Sequence, residues 1–238
     1  MIIDFDIPEI AAPTNPFLGY WGAQAFIGHF SESAVVQTLA STFVRCVFTA
    51  WEDYCDADRY LRCTFQPRGG NLNVSDLYRA VSRFESCITG MHLAVRSFRA
   101  LRKRKELRDH ASAAVINAQK PVFLSSAAGG KLALLRNKIQ HIEEELAKGT
   151  LSGDYTYMIQ PTGPEVVLDD SAQPGQTRKT IDRLKILEHE VLFADLADWL
   201  REMIVYVDKL RSLMPTGWSS TQGTNFPTPL DQREEQTT

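Results

Sequence analysis

The sequence predicts a mainly α fold, a bundle of long antiparallel helices with a small β-hairpin or sheet insertion before the last helix. Three observations predict it. Leu77, Val81, Phe84, Ile88, Met91, Val95 and Phe98 recur at steps of four and three, which puts them on one face of a helix. Leu196, Leu200, Ile204, Val207 and Leu210 repeat the pattern near the end of the chain. Between the stripes, β-branched and aromatic runs flank Pro161, Thr162 and Gly163, the composition of strands around a turn.

Element by element, residues 1–30 are rich in Pro, Gly and aromatics and read as an irregular arm. Phe17, Tyr20, Trp21, Phe26 and Phe30 are expected to pack it onto the body. Ser31 or Ser33 caps the first long helix, expected to run to about Tyr60. The stretch from Pro67 to Asn71 breaks it, and Ser75 caps the second helix. Gly129 and Gly130 precede a third helix, from Leu132 to Lys148, with Leu132, Leu135, Ile139, Ile142 and Leu146 as its stripe and Gly149 at its end. Tyr155 to Ile159 and Glu165 to Leu168 read as a hairpin near 155–168. Leu184 to Phe193 fits either a third strand or the start of the last helix. The helical-bundle domain thus covers 31–214, and 215–238, rich in Thr, Gln, Gly and Pro, reads as a disordered tail.

The chain has 238 residues, 44% of them hydrophobic, enough for a substantial core in one domain. Its net charge of −3 gives no overall pull toward nucleic acid or an anionic membrane, so any such contact needs a local patch. The N-terminus lacks the basic start of a signal peptide. The apolar run from Ala34 to Trp51 contains Gln37 and Arg45, so it is expected to be a buried helix and no membrane contact is expected. A cytoplasmic location follows as the expectation. The four cysteines, at 46, 55, 63 and 87, include no Cys-x-x-Cys pair and read as thiols.

Several signatures fail on inspection. Gly129, Gly130 and Lys131 suggest a phosphate loop, but Ser125 stands at its first glycine and Leu132 at its metal-binding hydroxyl. His189 and Glu190 open a zinc-protease pattern that Phe193 closes without the second histidine. No metal site and no cofactor are expected.

One motif survives. Arg136, Asn137 and His141 lie on the third predicted helix, with Asn137 and His141 one turn apart and opposite the apolar stripe. Arg136 sits nearer the edge of that stripe. This stretch resembles the signature of the HEPN superfamily, helical bundles in which an Arg is followed by four to six residues and a His. Arg104 with His110 and Arg183 with His189 satisfy the loose spacing too, but only Arg136 has a polar Asn directly after it.

The resemblance implies a metal-independent endoribonuclease, a toxin or defence component with an antitoxin partner. It also implies a homodimer whose two motifs meet. His141 would move the proton of the attacking 2′-hydroxyl, since an imidazole titrates near neutral pH. Arg136 would hold the phosphoryl oxygens, and Asn137 would hold the phosphate or orient His141. Arg102, Lys103, Arg104 and Lys105, extended by Arg96, Arg99 and Arg108, would bind RNA phosphates. Two other readings stay open. One is a non-catalytic bundle that binds a protein or a nucleotide; the other is a ligand pocket lined by Trp51, Tyr54, Phe84 and Phe98.

Overall fold

The computed structural model of the chain describes residues 1–11, 14–65, 73–107, 111–147, 158–168 and 175–215. The Pro67–Asn71 break, Arg108 and His110, the helix end at Gly149, the strand residues Tyr155 to Tyr157 and the tail beyond Pro215 lie outside the described residues.

The first 30 residues are more regular than their composition suggests. Ile2–Phe5 form strand β1 and Thr14–Phe26 form helix α1. Phe17, Tyr20 and Phe30 are buried, as expected for packing residues, and Trp21 packs partly on the core. Phe26, by contrast, is 80% exposed. Ser33 begins helix α2 (Ala34–Phe65), its hydroxyl accepting the Val36 N–H at 3.5 Å, while Ser31 accepts the Ser33 N–H at 3.2 Å. α2 is long and apolar enough to cross a membrane by length and composition, yet here Val36, Ala40, Phe43, Val44, Val47 and Ala50 are fully buried in the protein's own core.

Helix α3 (Val74–Arg102) starts one residue before Ser75, so Asn73 takes the cap position. Asn73 donates to Asp76 Oδ2 at 2.6 Å and accepts from the Ser75 hydroxyl at 2.7 Å. α3 runs antiparallel to α2: Phe43 packs on Phe98 (centroids 4.8 Å apart), Tyr54 on Phe84 (6.2 Å), and Arg83 donates to Asp53 at 2.7 Å. At Gly90 the two backbones come close, since a Cβ there would lie 3.3 Å from the Cys46 carbonyl oxygen.

A 3₁₀ turn (Lys105–Leu107), helix α4 (Ala111–Asn117) and a second 3₁₀ turn (Val122–Leu124) lead to helix α5 (Ser126–Gln140). Ser125 caps α5 by accepting the Ala128 N–H at 3.1 Å. Gly129 and Gly130 therefore lie inside the helix, not before it. The single helix expected to Lys148 is broken: His141 leaves helical geometry (φ −110°, ψ 15°) and Ile142–Ala147 form a separate helix, α6.

The described strands on either side of Gly163 do not pair with each other. Strand β2 (Ile159–Thr162) and strand β3 (Glu165–Val167) enter different three-stranded sheets. β3 and β1 flank strand β4 (Thr177–Ile181), β1 in parallel and β3 antiparallel. β2 pairs antiparallel with strand β5 (Arg183–Ile186), which pairs antiparallel with strand β6 (His189–Leu192). Pro161 and Thr162 are strand residues, and the chain changes sheet at Gly163. A Cβ on Gly163 would overlap the Thr180 carbonyl oxygen, so only glycine fits there.

Leu184 to Leu192 is thus a hairpin, and helix α7 (Phe193–Ser212) follows at once. Phe193 stacks on Phe84 (4.8 Å) and Tyr206 meets Phe98 edge-on (5.1 Å), so α7 follows α3 in the same sense. The protein is mainly helical, with small three-stranded sheets formed largely before its last helix.

Candidate functional site

The motif residues sit at the C-terminal end of α5. Arg136 donates from Nη1 to Asn137 Oδ1 at 3.3 Å, so these two are brought together. His141, at the break between α5 and α6, is exposed, and its Nδ1 lies 3.0 Å from Glu144 Oε1. Among the described residues no hydrogen bond or ion pair links Arg136 to His141. The backbone still ties the end together, because the His141 N–H donates to the Asn137 carbonyl at 3.0 Å.

The histidine that feels the Arg136 charge is another one. His92 on α3 is held below the usual imidazole range, first by burial and then by the positive charges of Arg136, Arg96 and Arg99. Its Nδ1 is buried without a hydrogen-bond partner, and so is Arg136 Nε. Two neighbouring side chains thus each keep one nitrogen away from both water and protein, which costs about 1–3 kcal/mol apiece unless something else meets them.

Sequence reasoning missed His92, though its signal was present. His92, Arg96, Arg99 and Lys103 recur at steps of four, three and four, one face of α3. α5 packs beside that face: a Cβ on Gly129 would lie 3.1 Å from Arg99 Nη2 and 3.4 Å from Val95 Cγ1. The missing side chain at Gly129 is what lets the Arg99 guanidinium lie against the first turns of α5.

At the far end of this face is a pocket of about 490 Å³, lined by Arg99, Arg102, Lys103, Lys120, Leu124 and Ser126. Its lining contains four cations and no carboxylate. Arg102 is aimed by a 3.0 Å bond from its Nε to Asn117 Oδ1. Ser126 opens α5, whose N-terminal N–H groups add positive potential. Glu202 on α7 holds the wall in place by accepting the Val122 and Phe123 N–H groups, both at 2.9 Å. Of the predicted basic run, Arg102 and Lys103 line this pocket. Arg104 is half-buried and Lys105 exposed, and neither lines it. Lys120 carried no signal, because only the tertiary path of the 118–125 loop brings it here.

The aromatic pocket considered from sequence is filled. Tyr54 is buried against Phe84, Phe84 against Phe193 and Phe98 against Tyr206 of α7, and Trp51 packs with Phe17 and Phe48. The cysteines are free, and burial together with nearby carboxylates pushes the Cys55 thiol up to about 11.

Chemically, the α3/α5 face can hold anionic oxygens. Guanidinium forks supply paired donors and lysines supply point charge. No protein-family model, curated protein or solved structure matches the chain.

Proposed function

We propose that this chain is a HEPN-like bundle of long antiparallel helices that binds RNA through its phosphates along the α3/α5 face, without cutting it. The observation that carries this reading is the row His92, Arg96, Arg99 and Lys103, joined by Arg136 and Lys120, with no ion pair from any of them to a described carboxylate. In a protein of net charge −3, such an uncompensated row costs stability through self-repulsion. An anionic ligand relieves that cost. The row spans roughly 16 Å from His92 to Lys103 at helical rise, more than one phosphate group needs and suited to successive phosphates of a strand. No aromatic side chain lines the basic pocket, so recognition runs through the backbone and not through base stacking.

The test is binding of a fluorescein-labelled single-stranded RNA at several salt concentrations. Affinity is expected to fall with salt by a slope of about −0.7 per phosphate contacted. The double variant Arg99→Gln, Arg136→Gln is expected to bind about ten-fold more weakly with a shallower slope. Salt-independent binding, or equal binding by the variant, overturns the reading.

A second reading, metal-independent endoribonuclease action, is favoured by one contact. Glu144 engages Nδ1 of the exposed His141, which leaves Nε2 without a partner among the described residues, one turn from Asn137. In that reading two copies meet at Arg136, Asn137 and His141, and the protein acts in the cytoplasm as a toxin or defence component restrained by an antitoxin. Cleavage in EDTA that leaves 2′,3′-cyclic phosphates and is lost in His141→Ala supports it; intact RNA with wild-type protein removes it.

A further inference from the structure

A cavity of about 620 Å³ opens between α1, the 29–34 turn and the first half of α2, sharing no residue with the cationic face. Its size falls within the range of small-molecule pockets, about 300–1,000 Å³. Gln37, which lines it, exposes only 7% of its surface, and its Oε1 is buried with no partner. The other end of that amide is engaged: Nε2 donates to Tyr20 Oη at 3.4 Å. Tyr20 Oη is in turn 3.2 Å from Ser41 Oγ, and Ser41 is tied to Gln24 through both amide atoms, at 3.0 and 3.2 Å. Turning the Gln37 amide over would leave Nε2 orphaned instead, so the network is one partner short in either orientation.

We infer that this cavity binds a nucleoside. A carboxamide can match the polar edge of a nucleobase, and here Nε2 is engaged by Tyr20 while the unmet Oε1 belongs to a residue of the cavity lining. Trp21 forms one wall, braced edge-on by Phe48 at 5.1 Å, and offers an indole against which a base can pack. Thr42 also lines the cavity and provides a hydroxyl that both donates and accepts, as ribose hydroxyls require. His29, Glu32 and Arg45 are exposed at the rim, one acid beside the two basic side chains, which suits an uncharged ligand better than the carboxylate-free basic pocket does. This site stands whether or not the α3/α5 face binds RNA.

The experiment is calorimetric titration of the full chain with adenosine, guanosine, cytidine and uridine, each to millimolar concentration. Two variants accompany it: Gln37→Leu, which replaces the amide by an apolar group of similar volume, and Thr38→Arg, an exposed position whose new side chain fills the cavity mouth. The expected result is saturable binding of at least one nucleoside, weakened about ten-fold in both variants while their melting temperatures stay close to wild type. Absence of binding by all four nucleosides overturns the proposal. So does binding that both folded variants retain in full. If Gln37→Leu fails to fold, Thr38→Arg decides alone, because Thr38 is exposed and adds nothing to the core.

Discussion

Two stripes run along α3 at the same helical spacing, one residue apart, and they have opposite fates. Phe84, Ile88, Met91, Val95 and Phe98 are at most 1% exposed, enclosed by α2, α5 and α7. Arg96, Arg99 and Lys103, in a row that His92 begins, have no ion pair to a described carboxylate. The first stripe explains why the protein folds. The second works against folding, since like charges gathered on one face repel, and a feature that folding does not need points to a ligand. On the proposed function, stability and binding are divided between neighbouring faces of one helix.

The largest expected effect tests the packed stripe. Phe98 touches Phe43, Phe123 and Tyr206 within 4.8–5.5 Å, so Phe98→Ala empties the junction of α2, α3, α7 and the Val122–Leu124 turn. It is expected to lower unfolding stability by about 3–5 kcal/mol in urea titrations. RNA affinity of the folded fraction is expected to stay at the wild-type value. A matching loss of affinity would join the two faces into one functional unit and break the comparison.

The reverse substitution comes next. Arg99→Gln with Arg136→Gln, expected to weaken RNA binding about ten-fold, should leave stability within about 0.5 kcal/mol or raise it, because repulsion is removed and no ion pair is lost. Denaturation of the double variant beside its binding isotherm checks both halves. A large loss of stability would mean that the guanidiniums hold α5 on α3 and are part of the packing.

How far each face was legible follows from the range of its causes. The packed stripe on α3 and the stripe on α7 were readable, because burial writes a period into the local sequence. The cationic stripe was readable too, at His92, Arg96, Arg99 and Lys103, but charge at helical spacing also marks a solvated face, and only the approach of α5 at Gly129 separates the two. The basic run was seen as a linear feature, whereas the pocket draws Lys120 and Ser126 from a loop whose path no local pattern records. The sheets were misread for the same reason. β2 and β3 lie beside Gly163 like arms of a hairpin, yet each finds its partner after residue 176, and β1 pairs with β4 across most of the chain. The break at His141 had no signal, because neither Gly nor Pro marks it.

A smaller effect concerns pH. Burial and three nearby arginines lower the His92 pKa in the folded state. Its neutral form therefore contributes stability that is present above the unfolded value near 6.5 and is lost as pH falls through the folded value. His92→Gln is expected to flatten the decline of stability below that pH, read from urea midpoints across pH 4 to 8. RNA binding is expected to raise the His92 pKa, because phosphate stabilises the imidazolium, so NMR titration of the ring with and without RNA should show an upward shift. An unchanged titration would place the phosphates nearer Lys103 than His92 and shorten the binding face.

The smallest expected effect separates the two ends of α5. At its start, Ser126 borders the basic pocket; at its end, His141 is exposed and engaged with Glu144, an exposed pair of the kind worth about 0–1 kcal/mol. His141→Ala is expected to change stability by less than about 0.5 kcal/mol and RNA affinity by less than two-fold. That near-silence is informative, because affinity and cleavage then become independent readouts. Unchanged affinity with no cleavage by either protein leaves a phosphate-binding module whose motif helix merely ends at a histidine. Unchanged affinity with cleavage lost in the variant assigns binding to the α3/α5 face and chemistry to the end of α5, with Ser126 and His141 about four helical turns apart.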